Sequence, residues 1–358
     1  MPPQPEPTTG SKSMLGFIYN LLPEAMAPKA EEENTVPLEK YIQKAWRNRD
    51  AVNPFRSDKK ATTTPVPMLR RGCTNRIIYY IGSFNPPHLG HLALIDHVFS
   101  NTNHASSLAS STPPAADILN AVALVAIPHG EYWIRRKLQK AQFWATAEDQ
   151  VPALHLDIDQ RAKLLRDGIP EDLKRKGVWA FPEDLGEWWA FHPRLRDVCE
   201  RDGFELEFVE LLGPDYVLQP FPQCSGMHGV VTSNVCRKAD FVVDTPEGGD
   251  LVTLGGFGPW EQLDRHEGVE LPPELKHAES QEQKATDSVW VCQKSRDLDY
   301  RIWFVQCDKP TLDPDLSSTG LRQIVEEGEL NDLEDRVMDI AMSPELLVKY
   351  VKEWKSKG

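Results

Sequence analysis

The 358-residue chain contains no apolar run approaching the roughly 20 residues that a membrane-spanning helix requires, so no such span is expected. Its short apolar N-terminal patch, MLGFIYNLL, has only Lys12 nearby upstream and no small-residue cleavage site, which suits amphipathic helical turns rather than a signal peptide. Basic residues are in deficit: 40 Lys plus Arg face 54 Asp plus Glu, a net charge of −14. A general nucleic-acid binder needs a basic face to neutralise phosphates, so this balance argues against a nucleic-acid partner. It leaves room for one anionic ligand, because a phosphate pocket needs only a few local cations and backbone amides. Cysteine is sparse. The six (Cys73, Cys199, Cys224, Cys236, Cys292, Cys307) are scattered, as in a reducing compartment, which points to the cytosol, or cytosol and nucleus. Cys224, His228 and Cys236 form the only close group and lack the paired spacing of a zinc site, so no metal site is expected on the protein. Internal repeats are also missing.

What is present is ordinary globular composition, 40% hydrophobic and 26% charged, enough for a sizeable core. Residues 1–75 suit an N-terminal extension and linker available to protein partners, with one helix in VPLEKYIQKAWRN whose Leu38, Ile42, Ala45 and Trp46 share a face. From residue 76 to 357, strand-like and helix-like segments alternate. RIIYYIG and ILNAVALVAIP are continuous apolar runs, as in parallel strands covered on both faces. FELEFVELLG, KADFVVDT, SVWVCQK and YRIWFVQC are further strands. LDIDQRAKLLRDGI is a helix capped by Asp157 or Asp159, and the chain ends in helices, the last with Ser343 as cap and Pro344 in its first turn. Insertions are expected near 101–116 and 261–287. The pattern predicts an α/β fold: a Rossmann-like parallel sheet flanked by helices, with ligands at the carboxyl ends of its strands.

One such end carries the sequence GSFNPPHLGH. Gly82 ends the strand and permits a close backbone approach. Pro86 and Pro87 keep the next helix from starting early. That helix begins near His88 or Leu89, where its unpaired first-turn amides favour an anion. His88 and His91 lie on one face of the first turn, and Gly90 keeps the surface between them low. An isolated pair of this spacing would merely cap a helix. Set between a strand and a helix, the whole string is far more specific for a nucleotide phosphate.

These residues resemble the HxGH nucleotidyltransferase superfamily, and within it the nicotinamide-mononucleotide adenylyltransferases. GSFNP is similar to the opening of the eukaryotic enzymes and HLGH to that of the bacterial ones. The family's second signature, Ser-Ser-Thr-x-x-Arg, is matched by Ser317, Ser318, Thr319 and Arg322 in DLSSTGLRQIV. Physically, hydroxyls and amides at a helix start, with an arginine one turn in, suit the outer phosphates of a triphosphate. LLGPDYV resembles the family's Gly-x-Asp segment, which would put Gly213 and Asp215 near the nucleotide; Asp215 could equally cap a helix. AIPHGEYWIRRKL resembles a loop that supplies a basic residue, leaving Arg135, Arg136 and Lys137 open, with Arg135 a candidate for the acceptor. Trp260 is a candidate for stacking on the acceptor ring or for simple packing; Trp188 and Trp189 suit packing.

The resemblance implies transfer of AMP from ATP to nicotinamide mononucleotide (NMN), with Mg²⁺ carried mostly by the triphosphate and water. His88, His91 and Arg322 would be catalytic; Gly82, Ser83, Phe84, Gly90, Gly213, Asp215, Ser317, Ser318 and Thr319 would bind the nucleotide. Two alternatives stay open: another phosphorylated acceptor with ATP or CTP, and a nucleotide-binding adaptor without catalysis. An aminoacyl-tRNA synthetase is disfavoured, because LSSTGLR has no lysine and the net charge is wrong for tRNA.

Overall fold

The computed structural model of the protein describes residues 34–46, 67–102, 119–143, 154–217, 228–245, 248–263, 288–308 and 316–356. The N-terminal patch, most of both expected insertions and Cys224 lie outside these residues. Strands β1 (Thr35–Pro37) and β2 (Met68–Arg70) flank helix α1 (Leu38–Ala45) in the chain, and β3 (Thr74–Gly82) leads into α2 (Leu89–Thr102). Next come β4 (Ala121–Pro128), α3 (Glu131–Phe143), α4 (Ile158–Gly168), α5 (Glu171–Lys176), β5 (Val178–Ala180) and α6 (Leu185–Arg201). The remaining strands are β6 (Glu205–Leu211), β7 (Gly229–Ser233), β8 (Val242–Thr245), β9 (Gly248–Leu251), β10 (Glu261–Leu263), β11 (Val289–Lys294) and β12 (Asp297–Val305). Helices α7 (Ser318–Glu327), α8 (Leu333–Met338) and α9 (Pro344–Lys355) follow.

Among the described residues, eight strands form the main sheet in the order β10-β11-β12-β7-β6-β3-β4-β5. From β12 to β5 every neighbouring pair is parallel, so this is an α/β fold with a mostly parallel sheet flanked by helices. The departure from the expected parallel sheet is at one edge, where β10, β11 and β12 pair antiparallel. Its cause is local. Only Ser295 and Arg296 join β11 to β12, and so short a link can return the chain only antiparallel. Likewise β8 pairs with β9 in a separate small sheet and not in the main one.

Alternation along the central strands builds two core layers. On one face Ile78, Leu124, Ala126, Val209 and Leu211 pack with Leu94, Ile95, Val98 and Phe99 of α2 and Leu165 of α4. On the other, Ile77, Tyr79, Ala123, Val125 and Phe208 meet Trp188, Phe191 and Leu195 of α6 and Leu38, Tyr41, Ile42 and Ala45 of α1. The sequence assigned α1 to the extension. Its apolar face is instead part of this layer, and the Tyr41 hydroxyl donates to Asp202 at 2.9 Å. A third cluster joins α7, α8 and α9 to Leu154, Leu156 and Leu164. It is this cluster that brings the C-terminal helices back to the start of α2. Among the described residues no helix is long and apolar enough to cross a membrane.

Candidate nucleotide site

The loop after β3 is held from below by groups that sequence reasoning passed over. The side chain of Asn85 (1% exposed) donates to the Leu154 carbonyl at 3.0 Å and accepts from the Leu156 amide at 3.0 Å. Arg161 on α4 is fully buried; its Nη1 donates to the carbonyls of Ser83 (3.2 Å) and His129 (2.7 Å), its Nε to Leu156 (3.0 Å), and its Nη2 to Glu131 (2.8 Å). One guanidinium thereby fixes the carboxyl ends of β3 and β4 together. A charged residue on the apolar face of a helix, one turn before Leu164 and Leu165, was the signal available in the sequence.

Phe84 has φ +46° and turns its ring back over Gly82, where an added Cβ would lie 2.7 Å from the ring. This explains the glycine. The Phe84 ring is fully buried and meets His91 edge-on at 4.9 Å, so it props the imidazole from within the core rather than facing a ligand. Gly90 has a similar cause: its amide donates to His88 Nδ1 at 3.1 Å, and a Cβ there would come within 2.9 Å of that nitrogen.

The two imidazoles are 3.7 Å apart between ring centres. His91 Nδ1 accepts from the His88 amide at 3.1 Å. With both Nδ1 atoms accepting, each neutral ring carries its proton on Nε2 and presents that N–H as a donor. Neutrality is favoured by the setting. His88 is pushed down to about 4 by burial and then by Arg237. His91 is held well below the usual histidine range by burial, by His88 and by Lys137. His129, at the end of β4, is lowered to about 4 by burial, Lys137 and Arg161.

Of the three consecutive cations on α3, Lys137 is the one turned to this loop, with Nζ 3.4 Å from Ser83 Oγ. It stands one turn after the buried Ile134, on the same side of the helix. Desolvation and Arg322 hold its ammonium below the ordinary lysine range. All three residues are exposed, and Arg136 lies over the Trp133 ring.

The second signature lies against the first. Arg322 (7% exposed) donates from Nη1 to the Asn85 carbonyl at 2.6 Å and from Nη2 to Thr319 Oγ1 at 3.0 Å. Ser318 Oγ donates to the Pro86 carbonyl at 2.9 Å, and Ser317 caps α7 by accepting from the Gly320 amide at 3.1 Å. Of these hydroxyls, expected to meet phosphates directly, that of Ser318 joins the two motifs, while those of Ser317 and Thr319 bond within α7. Desolvation lowers Arg322.

On the other side of β3, Gly213 leaves room for Asp215, whose Oδ1 would be 2.8 Å from an added Cβ. Asp215 accepts from Arg237 at 2.9 Å, a residue the sequence reading missed. Trp260 is elsewhere: its ring stacks on Phe241 (5.4 Å, 18°) beside Phe304, and Nε1 donates to Val252. Trp188 is fully buried in the aromatic layer under α6. His228 Nδ1 accepts from the Phe208 amide, and no group of three or more metal-ligating side chains occurs among the described residues.

Chemically, the arrangement sets two neutral imidazole donors (His88, His91) beside two cations (Lys137, Arg322) that are partly desolvated. A polyanion entering among them would meet hydrogen-bond donors and offset the desolvation of the two cations.

No protein-family model matches the chain, and no curated protein matches it. Among solved structures it is similar to Plasmodium falciparum nicotinic acid mononucleotide adenylyltransferase complexed with APC, at 11% identity and a TM-score of 0.33, covering 78% of this chain and 96% of that one. The same enzyme complexed with NaAD gives 10% identity and a TM-score of 0.33, covering 77% and 96%. At those scores the likeness carries no argument about activity, which rests on the residues themselves.

Proposed function

We propose that the cleft at the ends of β3, β4 and β6 binds a nucleoside triphosphate and transfers its nucleotidyl group to a phosphorylated acceptor, most specifically AMP from ATP to NMN. The observation that carries this reading is the joint between the two signatures: Arg322 and Ser318 bond to the Asn85-Pro86 backbone, two and three residues before His88.

In this reading an oxygen of the acceptor phosphate attacks the α-phosphorus, the bond from that phosphorus to the bridging oxygen breaks, and pyrophosphate leaves. His88 and His91 donate from Nε2 to the α-phosphoryl oxygens, where charge builds up. Lys137 and Arg322 hold the outer phosphates and then the leaving pyrophosphate. The acceptor phosphate is already ionised, so no side chain has to act as a base. Mg²⁺ enters with the triphosphate as part of the substrate.

Pyrophosphate release from ATP plus NMN, run beside nicotinic acid mononucleotide and with CTP in place of ATP, tests the reaction and its acceptor. Absence of release with every pair would remove the catalytic reading. One observation favours binding without transfer: the Arg322 guanidinium is already bonded to Asn85 and Thr319. ATP binding by calorimetry without any pyrophosphate release is the result that reading requires.

A further inference from the structure

Arg237 is not part of either signature, yet the loop that carries it is built as firmly as the loop after β3. Thr232 Oγ1 at the end of β7 donates to the Leu212 carbonyl at 2.9 Å, tying that end to the neighbouring β6. Ser233 Oγ accepts from the Val235 amide at 3.1 Å. Asn234 is bonded twice to the chain just beyond β12: its Nδ2 donates to the Cys307 carbonyl at 3.0 Å, and its Oδ1 accepts from the Cys307 amide at 2.6 Å. The segment that delivers Arg237 is thus pinned on both sides.

Its guanidinium ends at Asp215, in the loop after β6. Nη1 donates to Asp215 at 2.9 Å, with the two side chains 45% and 34% exposed. A half-exposed ion pair of this kind contributes little to stability. Holding a half-exposed cation on a pinned loop lowers the ordering cost of binding an anion there. The position is also specific. In the sheet order β4 lies on one side of β3, while β6 and β7 lie on the other. Lys137 therefore comes to the paired histidines from the β4 side and Arg237 from the β7 side. Asp215 follows β6, the parallel neighbour of both β3 and β7, so the 2.9 Å contact to Asp215 sets the guanidinium at the strand ends beside the loop that carries His88.

We propose that Arg237 is a further phosphate-binding residue of this cleft, its guanidinium shared between Asp215 and the phosphoryl oxygens of a nucleotide lying against His88, on the side away from Lys137. The assignment rests on the reading of the cleft as a nucleotide site. Its ligand is a phosphoryl oxygen, supplied either by the triphosphate or by the acceptor's phosphate.

Calorimetric titration of the full chain with ATP, with NMN and with adenosine separates the cases, using wild type, Arg237→Gln and Arg237→Lys. The Gln variant is expected to bind one of the two nucleotides about 10- to 100-fold more weakly. The Lys variant should recover part of that loss, and adenosine binding should be unchanged. A loss confined to ATP puts Arg237 on the triphosphate; one confined to NMN puts it on the acceptor phosphate. Wild-type affinity of the Gln variant for both nucleotides would overturn the proposal and leave the nucleotide site standing. A parallel loss of adenosine binding would also overturn it, as the mark of a merely structural residue. Wild-type protein that binds no nucleotide at all would overturn both readings.

Discussion

Arg322 donates to the carbonyl of Asn85 across 237 positions of chain, at 2.6 Å and in a buried setting. The bond couples the stability of the loop after β3 to the position of α7. Arg322→Ala would leave the Asn85 carbonyl without its partner, at a cost of about 1–3 kcal/mol. Arg322→Lys keeps a charge but cannot reach both Asn85 and Thr319 with a planar fork. Urea unfolding is expected to rank the three proteins wild type, Lys, Ala, and turnover should fall in both variants.

Removal of one donor from the histidine pair should act on the rate. His91→Ala is expected to lower turnover about 100- to 1,000-fold, as for loss of one preorganised donor to a developing charge. ATP affinity should change far less. Single-turnover pyrophosphate release and calorimetry on the same preparation make the comparison, and near-normal turnover would strip His91 of the role.

Folding stability should fall in mild acid through His88. Its folded pKa of about 4 lies below its unfolded value of 6.5, so the unfolded chain takes up the proton first. Stability from this group is complete above pH 6.5 and is lost as pH falls toward 4, a change of about 3 kcal/mol. His88→Asn should show a flatter profile of urea midpoint against pH over that interval.

Glu210 predicts the opposite slope. It lies on central strand β6, opposite Tyr79 and Val230, and burial raises its pKa from 4.5 to about 7. The unfolded chain ionises it first, so its contribution is lost as pH rises from 4.5 through 7. Glu210→Gln cannot ionise. It should match wild type near pH 4.5 and exceed it in stability at pH 8, by up to about 3 kcal/mol. Equal stabilities at pH 8 would show that the wild-type carboxyl finds water or a partner there.

Much of this molecule could be read locally. The apolar runs gave the central strands, Asp157 caps α4 through a capping box with Gln160, and Ser317 caps α7. The glycines of GSFNPPHLGH are required by their nearest neighbours, Phe84 and His88, so that motif was legible as a unit. Arg161 and Arg237 were not. Each acts on chain segments distant in sequence; the place of Arg161 on the apolar face of α4 marks it as unusual without naming its partners, and Arg237 has no such local mark. Lys137 could not be told from Arg135 and Arg136, because three consecutive residues point in three directions until packing of Ile134 chooses one.

The amino-acid sequence alone determined the α/β class, the strand-turn-helix that carries His88 and His91, and the capped helix that carries Arg322, because periodicity, turn chemistry and capping act within a few residues. Only the tertiary structure decided which cations meet those histidines, that α1 belongs to the core, and that β12 takes its place in the sheet beside β7. Those outcomes depend on sheet order and on which face of each helix is buried, and both are settled by contacts between residues far apart in the chain.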